Sequence, residues 1–147
     1  MRSALVVFLI LAGVITARSQ GFDPSDIETG NGFERLCSVV EKIGTSNFQP
    51  SDNDLAMLGH CTGYVKGIKD GVSLAMGAAS VTAPGSLQIM SFCTPDGATH
   101  GQLVKVVLKY IRDNPDKEHL LTALLITEAF HKSFPCSDSS IPAKKRK

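Results

Sequence analysis

Several patterns that would indicate a metal-binding or catalytic protein are missing from this sequence of 147 residues. Its four cysteines form no Cys-x-x-Cys pair and its four histidines form no His-x-x-x-His pair, so the common zinc-ligand spacings are absent. Its glycines do not cluster in a loop before a helix, which argues against a phosphate-binding motif. We therefore expect no metal, no cofactor and no enzymatic activity.

A membrane-spanning stretch is missing as well. The apolar run from Ala4 to Ile15 is shorter than the roughly 20 residues that a spanning helix needs. Because the run follows the basic Arg2 and precedes small residues, it has the layout of a cleavable secretion signal. We predict a signal peptide over residues 1–19, cleaved after Ala17 or Ser19, and a mature protein that is soluble and exported.

The mature chain has no excess of positive charge. Without the signal peptide it has 13 basic and 14 acidic residues, and four of the bases form the terminal Lys144–Lys147. A mildly acidic body argues against a nucleic-acid partner. We expect residues 137–147 to be a disordered, solvated basic tail; binding of the tail to an anionic surface or another protein is the alternative.

Four cysteines remain in the mature chain: Cys37, Cys61, Cys93 and Cys136. An even number of cysteines in an exported protein indicates two disulfides. The rival interpretation is a cysteine hydrolase, since His131 lies near Cys136 in the sequence. Such an enzyme needs a free thiolate, and two disulfides would leave none.

Apolar residues repeat at steps of three and four in four segments, which predicts four helices. We expect them at about Thr29–Ile43, from Ser51, from Thr99, and from Pro115 to Ser133. The stripe of the third helix includes Tyr110, and the stripe of the fourth consists of Leu120, Leu121, Leu124, Leu125, Glu128 and Ala129. Thr99 and Gln102 have the spacing of a capping box. The fold is predicted to be all-α: a small four-helix domain of two helical hairpins over residues 29–136, preceded by a flexible leader at residues 20–28.

The hairpins predict how the cysteines pair, because residues equally far from a hairpin turn lie at the same height. If the first hairpin turns near residue 49, Cys37 and Cys61 lie twelve residues on either side. If the second turns near residue 114, Cys93 lies 21 residues before the turn and Cys136 lies 22 after it. We therefore predict the disulfides Cys37–Cys61 and Cys93–Cys136.

The second helix contains a glycine face, formed by Gly59, Gly63, Gly67 and Gly71, one helical turn apart. It lies opposite the apolar face of the same helix. Each glycine costs about 1 kcal/mol of helix propensity relative to alanine. We interpret this face as a packing surface for another helix or another subunit. A weak, partly bent helix is the alternative.

The helical period is lost between Met76 and Phe92, which predicts a loop of about 15 residues. Loops of this length are often functional. Partner contact is predicted for its small and polar residues, although a plain surface loop is an equal alternative: Ser80, Val81, Thr82, Gly85, Ser86 and Gln88.

A set of spaced residues resembles the Tai family, the type VI secretion amidase immunity proteins, also called resistance-associated proteins. The matching residues extend over about residues 30 to 136: Cys37, Cys61-x-Gly63-Tyr64-x-x-Gly67-x-x-Asp70, Cys93-x-Pro95, Gln102-Leu103, Asn114-Pro115 and Phe134-Pro135-Cys136. The resemblance implies a helical periplasmic protein, commonly a homodimer, that plugs the substrate groove of an injected peptidoglycan amidase. It assigns the matching residues to the framework: the cysteines to disulfides, Gly63 and Gly67 to close packing, and Tyr64 and Asp70 to polar contacts near the second helix. It identifies no inhibitory residue.

The predicted function is therefore that of an immunity protein that binds and occludes a peptidoglycan amidase effector. The alternative is a small disulfide-bonded periplasmic binding or stress protein, chaperone-like and without a dedicated effector. The two differ in specificity, because an immunity protein binds one amidase at a fixed ratio, whereas a chaperone holds many unfolded clients.

Overall fold

The computed structural model describes residues 23–82 and 91–136. In chain order its elements are a 3-10 helix Pro24–Glu28, α1 Gly30–Cys37, α2 Val39–Lys42, α3 Asp52–Thr82, α4 His100–Asp113, a 3-10 helix Pro115–Lys117, and α5 Thr122–Ser133. Because α1 and α2 are separated only by Ser38, they act as one bent helix. With α1 and α2 counted as one, the described residues form four α-helices and no β-strand, which confirms the predicted all-α fold.

The first hairpin consists of α1 with α2, followed by α3. Thr29 caps α1, since its hydroxyl oxygen accepts a hydrogen bond from the backbone N–H of Gly32 at 3.3 Å. The chain returns through a turn before Asp52, and α3 then packs along α1 and α2. The predicted disulfide Cys37–Cys61 is confirmed, with 5.6 Å between the two Cα atoms.

The second hairpin consists of α4 and α5. The predicted capping box at the start of α4 is confirmed: the Thr99 N–H donates to Gln102 Oε1 at 2.8 Å, and the Gln102 N–H donates to Thr99 Oγ1 at 3.2 Å. The predicted disulfide Cys93–Cys136 is confirmed as well, with a Cα–Cα distance of 4.9 Å. The Cys93 N–H also donates to the Phe134 carbonyl at 2.8 Å.

The hairpins are joined by backbone hydrogen bonds and by one apolar core. The first N–H groups of α1, at Gly30 and Asn31, donate to the carbonyls of Leu120 and Glu118 at 3.1 and 2.9 Å. These bonds satisfy donors that a helix N-terminus leaves unpaired. The largest fully buried side chains come from all four helices, and they include Phe33, Val65, Leu103, Leu108, Ile111, Leu125, Ile126 and Phe130.

Residues 24–28 correct the prediction of a flexible leader over residues 20–28. Pro24–Glu28 is a 3-10 helix, and its Ile27 is only 2% exposed. This segment packs on α1 and α5, because the side chain of Ile27 completes the apolar core. A single apolar residue in a polar stretch has no period, so the sequence did not predict this contact. Residues 20–22 lie outside the described residues.

The predicted loop from Met76 to Phe92 is wrong in its first half, because α3 continues as a helix to Thr82. At about 1.5 Å per residue its 31 residues span about 46 Å. Val72 is the last residue of α3 that packs against the core cluster. Beyond it, Leu74 and Val81 are 76% and 83% exposed. The final turns of α3 therefore project past the core of the described protein.

The fourth helix begins later than predicted. Pro115 starts a short 3-10 helix rather than a long α-helix, and α5 begins only at Thr122. The buried face of α5 differs accordingly from the predicted stripe. Leu125 and Ala129 are buried as expected, but the exposed fractions of Leu121 and Leu124 are 59% and 50%.

Candidate functional site

The cysteines hold the framework together and leave no thiol for catalysis. All four are in disulfides, so Cys136 is not free to act as a nucleophile with His131 as its base. Within residues 23–82 and 91–136, no group of three or more His, Cys, Asp or Glu side chains is placed to hold a metal ion.

The glycine face of α3 is open. A Cβ atom added at Gly59, Gly63, Gly67 or Gly71 would meet nothing within 4 Å among the described residues. The predicted packing of another helix of this chain on that face is thus not found there. The other predicted partner, a second subunit, stays a prediction.

Tyr64 and Asp70, on the same helix, differ in environment. Tyr64 is half-buried and packs against the core, and desolvation, together with the nearby Glu28 carboxylate, raises the pKa of its hydroxyl. Asp70 is exposed and bound by Lys66 and Lys69 of the same helix. Hydrogen bonds from those lysines lower the pKa of the Asp70 carboxyl.

The end of α3 at Thr82 divides the residues predicted to contact a partner into two groups, one within the helix and one beyond it. Ser80, Val81 and Thr82 form its last turn, and Ser80 Oγ donates to the Gly77 carbonyl at 2.7 Å. Gly85, Ser86 and Gln88 lie outside the described residues. The described chain resumes at Ser91, whose carbonyl oxygen accepts a hydrogen bond from His131 Nδ1 at 2.7 Å.

That hydrogen bond leads to a surface pocket that the sequence did not predict. We call it the α4–α5 pocket; it is lined by Tyr110, Lys117, Leu124, Thr127, Glu128, His131 and Lys132. Phe92, the residue after Ser91, packs its ring edge-on against the buried Phe130 at 5.2 Å between centroids. The rim of the pocket therefore lies next to the point where residues 83–90 rejoin the described fold.

A charged network forms one wall of the α4–α5 pocket. Glu128 Oε2 accepts hydrogen bonds from the Tyr110 hydroxyl at 2.6 Å and from Lys117 Nζ at 2.7 Å. Lys117 Nζ also donates to the Tyr110 hydroxyl oxygen at 3.0 Å. These bonds lower the pKa of the Glu128 carboxyl, with Lys117 as the larger cause. The pKa of Tyr110 is raised, chiefly by desolvation and then by the Glu128 carboxylate.

A second ammonium group borders the same aromatic ring. Lys132 Nζ lies 5.8 Å from the centroid of the Tyr110 ring, and Lys117 Nζ lies 5.6 Å from it. Both distances permit a cation–π attraction. Lys117 is neutralised by Glu128. In contrast, no carboxylate of the described residues forms an ion pair with Lys132, so the pocket has one uncompensated positive charge.

The sequence contained a weak sign of this pocket. Tyr110, Leu124 and Glu128 were all placed in the apolar stripes of their helices, and a carboxylate in such a stripe needs a partner. The partners of Glu128 were not predicted, because the last helix was expected to start at Pro115. Residues 115–121 form a short 3-10 helix and turns in place of a continuous α-helix. As a result Glu128 lies opposite Tyr110, and Tyr110 is only four residues before Asn114 at the hairpin turn.

Comparison with known proteins gives one match. A family model described as Rap1a immunity proteins matches residues 29–136. No curated protein and no solved structure matches the chain. In the described residues, no helix has both the length and the apolar character that crossing a membrane requires. The matched region begins at the cap of α1 and ends at Cys136, so it contains both disulfides and the α4–α5 pocket.

Proposed function

The chain belongs to the Rap1a immunity protein family, and from this membership we propose that it protects its cell by binding a peptidoglycan amidase delivered by type VI secretion. An effector-immunity role follows from the family itself. The amidase target and the secretion system are the finer part of the proposal, and they rest on the resemblance of the Cys-Gly-Tyr and Phe-Pro-Cys residues to the Tai proteins. The single observation that carries the proposal is the match over the whole of residues 29–136.

The proposed location is the periplasm, where peptidoglycan is exposed to an injected amidase. Two disulfides support this location, because such bonds persist in oxidising compartments and are rare in the cytosol. The secretion signal predicted over residues 1–19 supports it as well; these residues lie outside the described structure.

The proposed mechanism is occlusion without chemistry. An inhibitor of this kind needs a rigid scaffold and a surface that fits the mouth of the amidase groove. Two disulfides and a shared core supply the rigidity. The proposed contact surface consists of the end of α3 at Ser80–Thr82, residues 83–90 and the α4–α5 pocket. In support, His131 of the pocket binds the carbonyl oxygen of Ser91, the residue that follows residues 83–90 in the chain.

We further propose that the protein is a homodimer through the glycine face of α3. Its four glycines are exposed and meet nothing among the described residues. Glycine at this spacing permits two helices to approach closely. The exposed Leu74 on the same helix supplies apolar area that a second copy would cover.

The test needs a candidate effector. We expect the reading frame beside that of this protein to encode an amidase, and we call that enzyme the neighbouring amidase. Purified protein and amidase are mixed, and the complex is measured by calorimetry and by light scattering after gel filtration. We expect tight binding at one protomer to one amidase, and no binding to hen lysozyme as an unrelated cell-wall hydrolase. Absence of binding to the amidase, combined with suppression of the aggregation of unfolded clients, would instead support the chaperone-like alternative.

A further inference from the structure

We propose that the α4–α5 pocket binds an acidic side chain of the effector, with Lys132 as its principal anchor. This inference rests on the proposed function for the identity of the partner, but its chemistry comes from the pocket alone. The pocket combines an aromatic ring, an exposed leucine and two ammonium groups within one surface depression.

The hydrogen bonds within the pocket determine which of its groups are still able to bind a partner. Three donors are already used by acceptors of this chain. The Tyr110 hydroxyl donates to Glu128, the Thr127 hydroxyl donates to the Ala123 carbonyl at 2.9 Å, and His131 Nδ1 donates to the Ser91 carbonyl. A hydroxyl has one proton to donate, so neither Tyr110 nor Thr127 offers another.

The ammonium groups hold the remaining donors. Lys117 uses two of its three protons, for Glu128 and for Tyr110. For Lys132, no acceptor among the described residues binds Nζ, and its contact in the pocket is the face of Tyr110. The unused capacity of the pocket is thus cationic, and charge-assisted hydrogen bonds to a carboxylate are the strongest that it can form.

The lining also argues for a single carboxylate on a short aliphatic stem. Leu124 is 50% exposed, so it offers an apolar surface beside the ammonium groups. Glu128 remains ionised within the pocket, because its hydrogen bonds lower the pKa of its carboxyl. A group with two negative charges would be repelled by Glu128 at short range. A glutamate or aspartate side chain has one charge and an apolar stem, which fits both features.

The first test is independent of the effector. The exported protein, labelled at its leucine methyl groups and tyrosine rings, is titrated in an NMR tube with N-acetyl-glutamate N-methylamide, and separately with the neutral glutamine analogue. We expect saturable shifts of Leu124 and Tyr110 with the glutamate compound alone. The Lys132→Gln variant should weaken this binding about tenfold, whereas Lys105→Gln, at an exposed lysine on another face of α4, should not.

Equal shifts with both compounds, or no shifts with either, would overturn the assignment of a carboxylate site. The second test uses the neighbouring amidase. Lys132→Glu should raise the Kd of the complex at least tenfold, and Lys105→Glu should leave it within about twofold. An unchanged Kd in Lys132→Glu would refute the proposed docking of the effector here. If the wild-type protein does not bind the amidase at all, the proposed function fails, and the glutamate titration alone decides the chemistry of the pocket.

Discussion

The backbone carbonyl oxygen of Asp26 occupies the space that a Cβ atom at Gly32 would need. The 3-10 helix Pro24–Glu28 therefore lies directly against the first turn of α1, and only glycine at position 32 permits this contact. The same segment places Ile27 in the core. The glycines of α3 differ from Gly32, because a Cβ atom added at any of them would meet no atom of the described residues within 4 Å.

Alanine substitutions at these two kinds of glycine should change the free energy of unfolding in opposite directions. Gly32→Ala should lower the free energy of unfolding by at least about 2 kcal/mol, because the 3-10 helix must move away from α1. At a protein concentration low enough to keep the chain monomeric, Gly59→Ala should raise it by up to about 1 kcal/mol through helix propensity, since no described atom opposes the added methyl group. Urea denaturation followed by circular dichroism measures both. Equal effects of the two substitutions would contradict the packing of residues 24–28.

Removal of a disulfide should cost a large share of the stability. The bridge Cys37–Cys61 spans a sequence separation of 24 residues and Cys93–Cys136 one of 43. The loop-entropy relation then predicts about 3–4 kcal/mol for each, slightly more for the longer loop. Double substitutions to alanine at each pair, measured by thermal unfolding, test this estimate. A loss of less than about 1 kcal/mol for either pair would contradict the view that the bridges rigidify the scaffold.

Acid should destabilise the protein through the ion pairs of Arg112. Its guanidinium binds both oxygens of Glu41, at 2.8 and 3.0 Å, and Glu34 at 2.6 Å. These bonds hold the pKa of the Glu41 carboxyl below its ordinary value of 4.5. A group whose pKa is lowered by folding stabilises the native state above the unfolded pKa, and this contribution is lost as the pH falls through the folded pKa.

The free energy of unfolding should therefore decrease as the pH falls below about 4.5. In Arg112→Gln the decrease should be smaller, because the pKa of Glu41 returns toward its ordinary value. Arg112→Lys should lie between the two, since lysine keeps the charge without the two-bond fork. Urea denaturation at a series of pH values measures this dependence, and parallel curves for all three proteins would show that Arg112 does not cause it.

Bulky residues on the glycine face should break the proposed dimer without unfolding the protomer. Gly63→Leu and Gly67→Leu each place a large side chain where two copies of α3 are proposed to meet, and the described structure has open space at both positions. Light scattering after gel filtration should show a dimer for the wild type and a monomer for both variants. Lys105→Leu is the control, because it adds an exposed leucine on α4. Dimers that persist in both glycine variants would place the interface elsewhere.

The local signals in the sequence predicted most of the framework. The capping box of Thr99 and Gln102 is a four-residue pattern and appears in the structure as expected. Both disulfides were also predicted, because helical hairpins place cysteines at matching heights even when one helix end is misplaced. The first helix was predicted from about Thr29 by its apolar period, and α1 begins at Gly30 with Thr29 as its cap.

Features that depend on tertiary contacts were not predictable in the same way. The helix continues past Met76 because Ala78 and Ala79 favour a helix without any apolar period. The pairing of Tyr110 with Glu128 depends on how α5 lies against α4, and Ile27 is buried only because α1 and α5 meet beside it. Sequence periodicity shows which face of a helix is apolar, but not which residues of two helices meet.

The most direct test of the immunity function is a titration of peptidoglycan digestion. Purified cell wall is incubated with the neighbouring amidase and increasing amounts of this protein, and released fragments are quantified by chromatography. We expect digestion to fall linearly and to stop at one wild-type protomer per amidase. The Lys132→Glu variant should need a clear excess over the amidase to reach the same inhibition. Full digestion in the presence of a large excess of the wild-type protein would contradict the proposal that this protein inhibits a peptidoglycan amidase.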